Sequence, residues 1–232
     1  LTSGVRQEFK ASLNNLNMKL LTERISNVPI ELQSARFKLP EVYTFLEMYN
    51  VGRVEQLNVI NRWKESNPIN SLAAPVGISE NGDFVILDVH EKVHGPHGLI
   101  AGMTGSGKSE FIISYILSMA INYHPYEVNF VLIDYKGGGL AYAFENKDTG
   151  LKLPHLAGTI TNLDASEITR ALTSLNSELR RRQKIFNEVR DRLGESTIDI
   201  YKYQKLFRNG QVEEPLPHLI IVSDEFAELK MQ

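Results

Sequence analysis

An α/β fold, with a mostly parallel sheet flanked by helices, is predicted by three observations on this 232-residue sequence. From Gly98 onward, short apolar runs alternate with segments of helical periodicity, and alternation of this kind implies parallel strands joined by helical crossovers. The runs Val128–Asp134 and Leu219–Ser223 are predominantly apolar, as strands buried on both faces are. The composition, 42% hydrophobic and 23% charged, is ordinary for a globular protein. The length suits one large domain, or one domain with an appendage, and is ample for a sizeable core.

Composition also removes several classes of function. The formal net charge of −3 gives no global basic field for nucleic acid or an acidic membrane, although Arg180-Arg181-Arg182 is a local basic patch. The absence of cysteine excludes disulfides, thiolate catalysis and cysteine-type zinc sites. No apolar run approaches the ~18 residues of a membrane span. The opening residues, Leu1 to Glu8, turn polar almost at once, so no secretory leader is expected and any membrane anchor lies outside this sequence.

The elements follow in order. Residues 1–73 read as a helical lead-in: Val5, Phe9, Leu13, Leu16 and Leu20 recur at helical spacing. Pro40 begins a second helix through Val42, Phe45, Leu46 and Tyr49, and a third covers Val54, Leu57, Ile60 and Trp63. Trp63 is expected to be a packing anchor. From residue 74 to 232 runs the main domain. It opens with a hairpin, because Glu80-Asn81-Gly82 separates two alternating apolar segments. A strand is expected over Gly98–Ala101 and a helix over Phe111–Ala120. Beyond the strand Val128–Asp134, a shorter one is expected at Leu156–Thr161, and Asp164 is placed to cap a long helix running to about Val189. Residues 190–199 and 210–217 read as surface connections.

Between the expected strand and helix lies Gly102-Met103-Thr104-Gly105-Ser106-Gly107-Lys108-Ser109, which fills the pattern G-x-x-x-x-G-K-[ST]. Glycines let backbone N–H groups turn inward around phosphate oxygens, and the helix N-terminus adds its positive dipole end. In such a loop Lys108 reaches the β- and γ-phosphates and the Ser109 hydroxyl ligates Mg²⁺. The strand ending in Asp224-Glu225 supplies the complementary half: Asp224 is expected to hold Mg²⁺, usually through water, and Glu225 to take a proton from the attacking water. A second turn, Asp134-Tyr135-Lys136-Gly137-Gly138-Gly139, follows the middle core strand at the edge where open α/β sheets bind ligands. It reads either as a flexible loop or as a moving element that couples nucleotide state to work. His94 and His97 lack further nearby ligands for zinc, and His124, His155 and His218 are expected to be structural.

Together with Gly95-Pro96-His97-Gly98, Glu178-Leu179-Arg180-Arg181-Arg182-Gln183 and Ser223-Asp224-Glu225-Phe226-Ala227-Glu228-Leu229, these motifs resemble the FtsK/SpoIIIE ATPase family. Within it they are similar to the first ATPase domain of the type VII secretion ATPases of the EssC/EccC group. The resemblance covers roughly residues 40–232. It implies a RecA-like P-loop NTPase core that uses ATP and Mg²⁺. It further implies a homo-hexamer at the cytoplasmic face of the bacterial membrane, anchored through segments outside this sequence. The implied cargo is small helical-hairpin proteins of the WXG100 type. An arginine from the neighbouring subunit completes the site in such assemblies, and Arg170 is the favoured candidate here, with Arg181 and Arg182 as others. A DNA translocase of the same family is the alternative, disfavoured by the balanced charge; a nucleotide-binding regulatory module with little turnover is another. The sequence stops seven residues after Glu225, so the resemblance implies that the C-terminal part of the core is missing from it.

Overall fold

A computed structural model of the protein describes residues 42–103, 105–134, 139–146, 148–161 and 165–225, with Ala165 and Ser166 described by backbone alone. The chain divides into two compact units, residues 1–38 and 39–232, and every described residue belongs to the second. The helix expected over Val5–Leu20, the start at Pro40, and Thr104, Tyr135–Gly138 and Asp164 lie outside the described residues.

Thr44 and Glu47 cap each other reciprocally and start α1, Phe45–Met48, a single turn. The helix expected from Val54 to Trp63 is in fact two pieces: a 3₁₀ turn, Val54–Leu57, then α2, Val59–Glu65. Asn58 separates them at φ 51°, a left-handed conformation that asparagine tolerates better than most residues. The break leaves α2 free to lie against α3, Lys108–Asn122. Trp63 Nε1 donates to the Ala120 carbonyl at 2.9 Å, and Tyr49 shares a 2.5 Å hydrogen bond with Ser118. Trp63 is therefore the anchor that its place in the pattern predicts.

β1, Ala73–Ile78, and β2, Phe84–Asp88, pair antiparallel as the expected hairpin, with Gly82 at φ 84° in the turn. Asp88 closes its base by accepting from the Ser71 hydroxyl and from the Leu72 and His90 N–H groups. Burial pushes its carboxyl upward, yet those hydrogen bonds outweigh burial and hold it below the usual range.

The strand expected at Gly98–Ala101 is not formed: residues 97–103 are neither helix nor strand, and Leu99 is 85% exposed. Strand geometry needs a ladder partner, and no described strand runs beside these residues. α3 follows directly and buries Ile112, Ile116, Met119 and Ala120, an i, i+4, i+7, i+8 stripe.

β3, Val128–Asp134, is followed by α4, Gly139–Tyr142, and a small hairpin of β4, Glu145–Asn146, and β5, Leu151–Lys152. β6, Leu156–Thr161, α5, Ala165–Leu193, α6, Ile200–Arg208, and β7, His218–Asp224, complete the described fold. The central sheet has the order β6-β3-β7 and is parallel throughout. Val128, Phe130 and Leu132 of β3 share one core with the buried stripe of α3, and Ile220 and Val222 of β7 pack against it. Fully burying side chains of this size contributes about 1.5–3 kcal/mol each. α6 falls between the two segments read as surface connections; Asp199 caps it, and Tyr203 and Leu206 join Val189, Val212 and Leu216 in a second cluster under α5. None of the described helices is long and apolar enough to cross a membrane.

Candidate functional site

The parallel sheet brings β3 and β7 to their carboxyl ends together, and α3 begins beside them. Gly105 and Gly107 stand at φ 78° and 89°, conformations that strain any L side chain. Gly107 caps α3 with no side-chain acceptor, so the first N–H groups of the helix are not claimed by the cap. A Cβ on Gly102 would stand 2.5 Å from the Ser106 hydroxyl, which would have to rotate away to admit it. The loop is exposed at Gly102, Met103, Gly105, Ser106 and Gly107. It folds back on its own lysine: Lys108 Nζ donates to the Gly102 and Met103 carbonyls at 2.9 and 3.1 Å.

The two halves of the site, 115 residues apart in sequence, meet where the Ser109 hydroxyl donates to Asp224 Oδ2 at 3.2 Å. The other Asp224 oxygen accepts from the Glu225 N–H at 3.0 Å. Glu225 itself turns out of the strand at φ 55°, an uncommon backbone for a residue other than glycine, and such outliers collect at functional sites. A glycine-rich segment leading into a helix N-terminus, a lysine, a hydroxyl and a carboxylate on one edge fit a phosphate chain with a hard divalent cation.

Arg170 lies exposed on α5 in its second turn. Arg181 and Arg182 are committed elsewhere: both grip Glu178, Arg181 also bonds Glu214, and Arg182 Nη1 donates to the Pro217 carbonyl at 2.6 Å. Those contacts hold the Glu178 carboxyl below its usual range, Arg181 first, with burial opposing. His94 accepts the Asp88 N–H through Nδ1, a turn-closing role, and no group of three or more metal-type ligands occurs among the described residues.

One further acidic residue stands at this edge, the first of the Asp134–Gly139 turn, to which sequence reading gives no part in holding a cation. Asp134, at the end of β3, is only 2% exposed and stands beside Asp224 in the β3–β7 register. Its sequence signals are its place at the end of an apolar run and at the head of the glycine-rich turn.

Comparison with known proteins fits this geometry. The chain is 50% identical over 221 residues, 95% of its length, to the type VII secretion system protein EssC of Staphylococcus aureus strain Mu50, of which it spans 14%. Among solved structures, the cytoplasmic domain of the type VII secretion ATPase EccC of Thermomonospora curvata superposes with a TM-score of 0.69 at 31% identity, over 83% of this chain and 22% of that one. A second structure holds ATPases 2 and 3 of the same protein with a signal sequence peptide. It matches with a TM-score of 0.55 at 25% identity, over 72% of this chain and 28% of that one. The sequence model of the FtsK/SpoIIIE family matches residues 57–232, from the 3₁₀ turn before α2 through the Asp224 strand, and the chain belongs to that family.

Proposed function

We propose that this chain is the ATP-binding and hydrolysing motor domain of a type VII protein secretion translocase, working as a homo-hexamer to export small helical-hairpin proteins of the WXG100 type. The observation that carries this reading is the Ser109–Asp224 bond, because it joins the glycine loop to the one strand end that offers two carboxylates. Kinship with the S. aureus and T. curvata secretion proteins supports a role in protein secretion. With it goes a division into a helical lead-in, residues 1–73, and an ATPase domain, residues 74–232. The membrane anchor of such a translocase would lie outside this sequence, with the domain at the cytoplasmic face.

In this reading the N–H groups of Met103 to Lys108 surround the phosphates of ATP. Lys108 exchanges its bonds to Gly102 and Met103 for bonds to the β- and γ-phosphates. Ser109 and Asp224 are the residues that would hold Mg²⁺, the hydroxyl directly and the carboxylate through water. When bound, Mg²⁺ offsets the negative charge that builds on the phosphate oxygens. Glu225 orients the attacking water and accepts its proton. Arg170 of one subunit supplies a cation to the site of the next, a contribution of about 10³–10⁵ in rate where such arginines act. The self-bonded lysine and the need for that second subunit both favour low turnover by the isolated chain.

ATP turnover measured against protein concentration tests the scheme. Glu225→Gln is expected to keep nucleotide affinity and to lower turnover by about 100-fold or more. Arg170→Ala is expected to keep binding and to remove the part of turnover that rises with concentration. Wild-type rates in Glu225→Gln would contradict the base assignment, and an unchanged concentration dependence in Arg170→Ala would place the trans cation elsewhere.

A further inference from the structure

We propose that Asp134 is a positioning residue for the divalent cation: its buried charge sets how tightly the cation is held by Ser109 and Asp224. This rests on the nucleotide reading above and extends it to a residue that no phosphate-loop motif contains.

Three observations place it. The register pairs Asp134 directly with Asp224 on adjacent parallel strands, which lie about 4.8 Å apart. In-register residues of parallel strands project to the same face. That face is the one under α3, because Val128, Phe130 and Leu132, six, four and two positions before Asp134, form the core with α3. Ile220 and Val222 stand in the same relation to Asp224 and pack against the same core. Finally, Asp134 Oδ2 accepts the Leu140 N–H at 2.8 Å, and Leu140 is itself 2% exposed, so the carboxylate is sealed beneath α4.

Anchoring Leu140 does not by itself require an acid. The side-chain oxygen of an asparagine accepts the same hydrogen bond without the cost of holding a charge away from water beside a second carboxylate. What an acid adds is field. At this depth water screens little, and a full negative charge one strand away from Asp224 attracts a dication and repels a triphosphate. The signs differ for the two ligands, which separates an electrostatic role from a merely structural one.

The test uses the 232-residue chain and Asp134→Asn, with Asp134→Ser as a second neutral variant in case the first melts early. Mn²⁺ affinity is read by electron paramagnetic resonance with a non-hydrolysable ATP analogue present. Affinity for metal-free ATP is read separately in EDTA. The expected result is Mn²⁺ binding about tenfold weaker in the neutral variants, with metal-free ATP bound as tightly as by the wild type or more tightly. Unchanged Mn²⁺ affinity overturns the proposal. Equal weakening of both ligands also overturns it and makes Asp134 an anchor of α4 alone. A wild-type chain that binds neither ligand defeats the nucleotide reading itself, an outcome distinct from either of these.

Discussion

At the amino-terminal ends of the strands, polar side chains are buried within the fold; at the carboxyl ends, the buried Asp134 apart, Lys108, Ser109 and Asp224 are reachable from solvent. His155 is 1% exposed, and its Nε2 lies 2.7 Å from the Tyr123 carbonyl. Glu127 is buried against Arg208, and burial pushes its carboxyl upward although Arg208 opposes the shift. His218 is packed on Tyr201, and burial lowers it to about 4. At the other end Lys108 bonds two carbonyls of its own loop and Ser109 bonds Asp224, all where a ligand can displace them. The difference teaches which polar groups serve the fold and which are held in reserve for chemistry. A hydrogen bond broken away from water has no ready replacement, so the buried ones are kept. Exposed ones give up a bond to water or to a ligand at little cost.

The comparison breaks most visibly at Lys108. Lys108→Ala is expected to weaken ATP binding by about a thousandfold, through the loss of charge-assisted bonds to phosphate, and to leave thermal stability almost untouched. A large drop in melting temperature would show that the carboxyl end also serves the fold. The converse substitution, Trp63→Ala, removes a large partly buried ring and its bond to Ala120. It is expected to cost about 3 kcal/mol of stability in denaturant titration, with ATP affinity of the folded protein unchanged. Nucleotide binding that fails while the fold survives would erase the division between the two ends.

The smallest effect is a pH dependence. His218 has a folded pKa near 4 against an ordinary 6.5, so the unfolded chain binds the extra proton between those values. Its contribution to stability is complete above pH 6.5 and falls away as the pH drops toward 4. Between pH 7.5 and 5 the loss is about 2 kcal/mol for this histidine alone. Burial depresses His155 in the same direction and adds to the slope. His218→Gln is expected to flatten the curve of stability against pH in this window; a curve as steep as the wild type's would assign the slope elsewhere.

What the sequence made legible was local. The glycine loop, the strand Val128–Asp134 and the strand Leu156–Thr161 stand where their patterns put them, because each is specified by neighbours within a few residues. Gly98–Ala101 is as apolar as those strands, yet a strand exists only with a partner, and partner choice is not written in a four-residue run. Asn58 interrupts a helical pattern that periodicity alone reads as continuous. α6 escaped because it is short and lies between polar connections, although Asp199 is an ordinary capping signal. Asp134 stands next to Asp224 only through the register of two strands distant in sequence.

That register also bears on how the site comes into being. β3 meets β6 across about 26 positions, Phe130 beside Leu156, but meets β7 across about 90, Val128 beside His218. Closing the longer loop costs about 1 kcal/mol more chain entropy than closing the shorter one. β7, which carries Asp224 and Glu225, is thus the strand whose arrival is entropically dearest and whose departure is most favoured. A chain that has formed only its nearer contacts holds the glycine loop on α3 without the carboxylates. On the proposed nucleotide reading, binding of metal with ATP would therefore report that folding has finished, whereas helix content would not.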